Sequence, residues 1–340
     1  MRRWRFIRRR AVIALIGILA LCFAGYALLF VVPSVQRSQS LGIQFSTAHA
    51  RWLGLDWQKT YIALLDDLGV RSFRLGAYWN DLSIPGTALY NFDDLDWMLA
   101  EAQRRGATVI LAVGRRLPRW PECHVPDWVR ALPEQGQREA LLEYERAVVE
   151  RYRDHPALRV WQVENEPLLS LFGECPPPDR ALLEREVALV RSLDRQHPIL
   201  ITDSGELSMW MRTSAIGDLL GTTMYRVVWN PIVGYWSYDH IVPPAFYRLK
   251  AWLAGVPAER MIVSELQAEP WVPRGDILSV SLAEQRQSMD AERLRRNVTF
   301  ARATGFSEAY LWGAEYWYWL KEKQGDSSLW EAARDVFQAE

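Results

Sequence analysis

Eight short apolar runs, each followed by a helix-length segment, constrain the folding of this 340-residue chain more than any other feature. They lie at residues 42–46 (GIQFS), 72–78 (SFRLGAY), 108–113 (TVILAV), 160–164 (VWQVE), 199–203 (ILITD), 222–225 (TTMY), 261–265 (MIVSE) and 309–313 (AYLWG). A strand buried on both faces reads as an unbroken apolar run, and parallel neighbours need a crossover of a dozen or more residues between them. Eight such repeats predict an α/β fold, a closed (β/α)8 barrel whose functional face is built by the loops after the strands. The intervening segments carry the helical period. Tyr61, Leu64, Leu65 and Leu68 form one apolar stripe ending at Gly69, and Leu95, Met98, Leu99 and Ala102 form another ending at Gly106. The sixth run, set among Gly and Trp, reads equally as part of a long loop. A doubly wound open sheet is the alternative fold, but no GxGxxG follows any run.

Ahead of the runs, residues 11–32 hold no charge over 22 positions, enough to span a hydrocarbon core of about 30 Å at 1.5 Å per residue. Arg2, Arg3, Arg5, Arg8, Arg9 and Arg10 precede this stretch, and Arg37 is the first basic residue after it. The positive-inside rule then predicts a single N-terminal transmembrane helix with its amino terminus in the cytoplasm and the rest of the chain extracytoplasmic, as a signal-anchor. A cleaved signal peptide is the alternative, but its apolar core is usually about 7–15 residues. The expected organisation is a basic tail (1–10), an anchor in the cytoplasmic membrane (11–33), a linker (34–40) and one domain (41–340). Subtracting the six arginines from a net charge of −1 leaves −7 on the other 330 residues, which disfavours a nucleic-acid partner. Export permits disulfides. Cys123 and Cys175, in WPECHVP and FGECPPP, are expected to pair, with two free thiols as the alternative.

Two runs end in carboxylates. The fourth continues into Asn165-Glu166-Pro167, and the seventh ends at Glu265. Two carboxyls at one barrel rim suit glycosidic bond cleavage, where one protonates the departing oxygen and the other attacks the anomeric carbon or activates water. Glu164 shares strand parity with Glu166, so alternation leaves both open, and Glu269 competes with Glu265. Twelve of the 17 tryptophans follow the runs. Trp79, Trp120, Trp271 and Trp312, with His49 close by in sequence order, are candidate sugar contacts, although indole rings also brace long loops. Because His49, His124 and His240 lack short ligand spacing, no catalytic metal is expected, and no cofactor.

The Asn-Glu-Pro ending of strand four and the Glu ending strand seven resemble the clan A glycoside hydrolases, a group with cellulase-like, β-mannanase-like and β-galactosidase-like members. The segment from Phe73-Arg74 through Trp79, Pro85-Gly86 and Tyr90-Asn91-Phe92 resembles the same clan, and the likeness covers residues 41–340. It implies that Glu166 is the acid/base and Glu265 the nucleophile of a retaining enzyme cleaving a β-linked glycan without a cofactor. It also implies that Asn165 holds a sugar hydroxyl, that Arg74 and Tyr225 sit beside Glu265, and that Trp312 floors the reactive-sugar site. Arg74 as a purely structural ion-pair partner is the competing view. A catalytically silent glycan-binding barrel and a transglycosylase with the same two Glu are the alternative functions.

Overall fold

The computed structural model describes residues 2–35, 38–87 and 89–339, without the side chains of residues 2–11 and 14. The N-terminal arginine side chains, and Gln36 and Arg37 of the expected linker, lie outside the described residues. Ten strands are present among them: β1 (Ser40–Phe45), β2 (Ser72–Gly76), β3 (Thr108–Val113), β4 (Leu158–Val163), β5 (Ile199–Asp203), β6 (Leu219–Met224), β7 (Val227–Asn230), β8 (Gly234–Ser237), β9 (Met261–Gln267) and β10 (Glu308–Trp312). Eight close a ring in the order β1-β10-β9-β6-β5-β4-β3-β2, every pair parallel. This is the expected (β/α)8 barrel. The sixth run is a true barrel strand, starting three residues earlier than its sequence suggested and ending before Tyr225, because Leu219 and Leu220 pair with β5. The Gly- and Trp-rich stretch after it is a two-stranded antiparallel hairpin, β7–β8, outside the ring.

The helices form where apolar stripes predicted them. The helix Trp57–Asp66 buries Tyr61, Leu64 and Leu65, and Asp93–Arg104 buries Leu95, Met98, Leu99 and Ala102. Gly69 and Gly106 follow them at φ 71° and 65°, where a side chain would be strained. Inside the ring, the pleat separates two sets of residues. Ile110, Val160, Leu200, Ile262 and Tyr310 make an apolar plug low in the barrel. Two positions further up the same strands, Gln162, Thr202 and Ser264 join Arg74 and Gln44 as a buried polar layer. That change from apolar plug to polar layer places a site at the C-terminal mouth.

One irregularity aims a residue. Against both neighbours β9 carries an extra residue, since Thr222 and Thr223 oppose Val263 and Glu265, while Ala309 and Leu311 oppose Val263 and Leu266. Plain alternation from inward Ile262 would send Ser264 inward and Glu265 outward. The bulge turns Glu265 inward as well.

The amino terminus is a 27-residue helix, Arg2–Leu28, that stops four residues short of the end of the uncharged run. Among the described residues no helix is long and apolar enough to cross a membrane. Ile13, Ile16, Leu19 and Phe23 of this helix are exposed.

Candidate active site

Arg74, on β2, organises the polar layer. Its Nη1 donates to Glu265 Oε1 at 2.9 Å, its Nε to Gln162 Oε1 at 2.7 Å and its Nη2 to Asn165 Oδ1 at 2.8 Å. The same guanidinium reaches Gln44 Oε1. The Arg74 side chain is fully buried and Glu265 is 5 % exposed, so this ion pair sits in a low-dielectric setting where geometry decides its worth. Tyr225, immediately after β6, donates its hydroxyl to Glu265 Oε2 at 2.7 Å and packs edge-on against Trp271 at 5.1 Å. Both oxygens of Glu265 are thus held by donors on opposite sides, which fixes the plane of the carboxylate.

Asn165 and Glu166 follow the end of β4. The Asn165 Oδ1 also accepts from Thr202 Oγ1 at 3.1 Å, which directs its amide NH2 elsewhere. Glu166 is buried at φ 43°, and its backbone N–H donates to Thr202 Oγ1 at 2.8 Å. Burial pushes its carboxyl well above the usual range, and the negative charge of Glu265 adds to the rise. Glu164 points the other way. With φ 59° it leaves the strand geometry, and its carboxylate accepts the backbone N–H groups of Arg115 and Arg116 at 3.1 and 2.6 Å. Gly114, at φ 129°, makes room, since a Cβ there would stand 2.8 Å from Glu164 Cδ.

Glu269, the sequence competitor of Glu265, belongs to a separate knot. Its Oε1 accepts from Trp312 Nε1 at 2.6 Å and from Arg119, and its Oε2 lies 3.5 Å from His49 Nε2. Arg119 continues to Glu315 Oε2 at 3.1 Å, and Glu315 Oε1 accepts from the backbone N–H of Ser46. Burial alone would raise the Glu269 carboxyl, but Arg119 and His49 outweigh it and hold it down to about 2. Its Oε1 is held by two donors, while Oε2 has only the His49 ring nearby and no hydrogen bond of its own.

The aromatic residues divide. Trp271 adjoins the Glu265 clasp, and Trp120 is 70 % exposed beside a cis peptide to Pro121. Trp312 is buried with Arg119 4.1 Å over its ring, so that face is taken. His49 stacks on Trp52 at 5.4 Å. Trp79 is not a sugar contact. It is 1 % exposed and stacks on Tyr144 of the outer helix Glu134–Tyr152, because it starts a short helix that packs inward after β2. Trp210 and Trp317 are buried in the same way, their indole N–H groups donating to the carbonyls of Ser204 and Ala268. Indoles that cap loop carbonyls account for part of the tryptophan excess.

One residue escaped the sequence reading. Glu122 sits at φ 72° in the loop after β3, with Arg116 Nε 3.4 Å away. Burial pushes its carboxyl up to about 7, the Glu265 charge adding and Arg116 opposing. Next to it Cys123 is bonded to Cys175, S–S 2.03 Å with the Cα atoms 5.3 Å apart, tying the loop after β3 to the loop after β4.

Comparisons with known proteins bear on the class. Residues 49–180 match the family model described as β-galactosidase, glycoside hydrolase 42. That segment includes β2 through Glu166 and excludes Glu265. Among solved structures, the β-galactosidase of the Antarctic haloarchaeon Halorubrum lacusprofundi is 15 % identical with TM-score 0.56, over 88 % of this chain and 58 % of that one. A GH5_18 structure from Streptomyces cattleya in complex with GlcNAc is 15 % identical with TM-score 0.55, over 82 % and 71 %. Endoglucanase Cel5A of Thermotoga maritima is 17 % identical with TM-score 0.50, over 80 % and 88 %. The chain thus spans little more than half the length of the haloarchaeal enzyme. No curated protein matches the sequence. The structural likenesses establish the barrel, and the family match supports a glycosidase.

Proposed function

We propose that this barrel is a retaining glycoside hydrolase acting on a β-linked glycan, with Glu265 as nucleophile and Glu166 as acid/base. The observation that carries the reading is the clasp: one carboxylate, brought inward by a strand bulge, held at both oxygens by Arg74 and Tyr225, with Asn165 on the same guanidinium. In this mechanism Glu166 gives its proton to the glycosidic oxygen as Glu265 attacks the anomeric carbon. The glycosidic C–O bond breaks and a bond from that carbon to Glu265 forms. Glu166 then takes a proton from water, which displaces Glu265 and releases the sugar. Arg74 and Tyr225 hold the charge of the carboxylate before attack and after release, while the Asn165 amide NH2, turned away from Arg74 and Thr202, holds the hydroxyl beside the reacting carbon.

The test is hydrolysis of a panel of aryl β-glycosides and β-linked oligosaccharides, with the first-formed anomer followed by NMR. Release of the β anomer is expected. An α anomer would reject the double displacement, saturable glycan binding without turnover would point to the silent barrel, and transfer to added acceptor sugars would mark a transglycosylase.

The N-terminal helix is proposed to hold the barrel at the outer face of a cytoplasmic membrane. The six-arginine head and the exposed Ile13, Ile16, Leu19 and Phe23 support this reading. The full chain is expected in the carbonate-washed membrane fraction, and the chain from residue 38 onward in the soluble one. Equal partitioning of both would remove the anchor.

A further inference from the structure

Behind the mouth, away from the Glu265 clasp, three carboxylates meet between the barrel wall and two outer helices. Glu164 comes from the end of β4, Glu145 from the helix Glu134–Tyr152 and Glu186 from the helix Arg180–Leu193. One carboxylate oxygen of each lies within 4.8 Å of the others, and all three residues are at most 3 % exposed. Both oxygens of Glu145 and Oε1 of Glu186 are buried with no hydrogen-bond partner. Glu164 is different, because two backbone N–H groups already fix its carboxylate in place. Isolated buried carboxylates are among the costliest groups a fold can carry, and something must neutralise them. The charge of Arg115 opposes that of Glu145 and of Glu186, and Arg115 and Arg116 both line the cavity beside Glu164 and Glu186, so two guanidinium groups face three carboxylates.

We propose that Glu145, Glu164 and Glu186 form a structural site for a divalent, oxygen-seeking cation, with calcium the best fit. The donors are all carboxylate oxygens, with no histidine or thiolate, which selects hard cations over zinc or copper. Three buried carboxylates beside a cavity of about 20 Å³ suit calcium, which accepts carboxylate oxygens in flexible geometry, better than magnesium, which keeps several waters. A +2 charge offsets the excess of carboxylate over guanidinium. A cavity of about 20 Å³ adjoins Glu164 and Glu186 and is lined on its outer side by Cys175 and the exposed Pro176, giving a route from solvent. It has room for one water, the natural fourth oxygen donor. The site lies one residue before Asn165, so a bound ion would pin the backbone turn that presents Asn165 and Glu166.

The experiment uses the full chain, stripped with EDTA and dialysed into metal-free buffer. Binding is measured by equilibrium dialysis against Ca2+, Mg2+ and Mn2+ with elemental analysis, and melting is followed with each ion. One calcium per chain is expected, with a melting temperature raised by several degrees and weaker binding of Mg2+. In the Glu186→Gln and Glu145→Gln variants the calcium Kd should rise at least tenfold, and the shift in melting temperature should shrink accordingly. If the wild-type chain binds none of the three ions at 1 mM and its melting is unmoved, the site is rejected and the carboxyls share protons instead. Calcium binding that survives both substitutions would also overturn it, by placing the ion elsewhere. Neither readout depends on glycoside turnover, so failure here leaves the reading of Glu265 untouched, and the reverse holds.

Discussion

Glu265→Gln is expected to reduce turnover by about 10⁴-fold or more, the scale on which removal of a covalent nucleophile acts. Glutamine keeps the shape of the side chain and can still accept from Arg74, but it cannot form the glycosyl ester. It also removes the charge that Arg74 faces at 2.9 Å in a buried setting, so the melting temperature should fall with the rate. Glu265→Ala separates the two effects. It opens a gap the size of a carboxyl beside the anomeric carbon, and added azide should restore turnover through direct attack, giving a glycosyl azide of inverted configuration. Rescue of this kind distinguishes a nucleophile from a residue that merely supports the barrel. A variant with the wild-type rate would reject the assignment.

Arg74→Lys carries the second large effect. The guanidinium serves Glu265, Gln162, Asn165 and Gln44 through separate N–H groups, whereas an ammonium has three donors and no planar fork. Several buried acceptors are left short of a donor, so unfolding in urea should show a loss of about 3 kcal/mol, within the range for a broken buried pair. Because Arg74 sits beneath the carboxylate and touches it rather than the sugar, kcat should fall by about 10²-fold with little change in KM. Unchanged stability would mean that the polar layer does not depend on this side chain. A large rise in KM alone would place Arg74 in contact with substrate.

The barrel was legible in the sequence because both of its signals are local. Apolar runs and stripes at helical period appear wherever strands and helices bury a face, and each of the eight runs became a ring strand. Glu265 was found by its place at the end of a run, yet strict alternation would have turned it outward. The bulge that corrects this depends on pairing with β6 and β10, distant in the chain. Glu164 and Glu166 both leave strand geometry at left-handed φ values that parity cannot foresee, and Glu164 is turned onto the backbone of Arg115 and Arg116. Trp79 failed as a sugar contact for a related reason, since a tryptophan just past a strand end looks the same whether it faces the mouth or packs beneath it. Glu122 depended on a loop shape set by the bridge to Cys175. Glu145 and Glu186 did leave a signal, being acids on the apolar stripes with Leu141 and Val148, or with Leu182 and Val190. An acid among the core positions of a helix marks a buried charge that needs a partner.

The seam of the ring joins its first strand to its last, Ser40 beside Glu308. A chain emerging from synthesis must therefore hold β1 with one open edge until residue 312 has arrived. Two unpaired edges persist for that whole interval, inviting pairing with neighbouring chains. Folding to closure is accordingly all or none, and a product truncated before β10 should precipitate rather than persist as a partial enzyme.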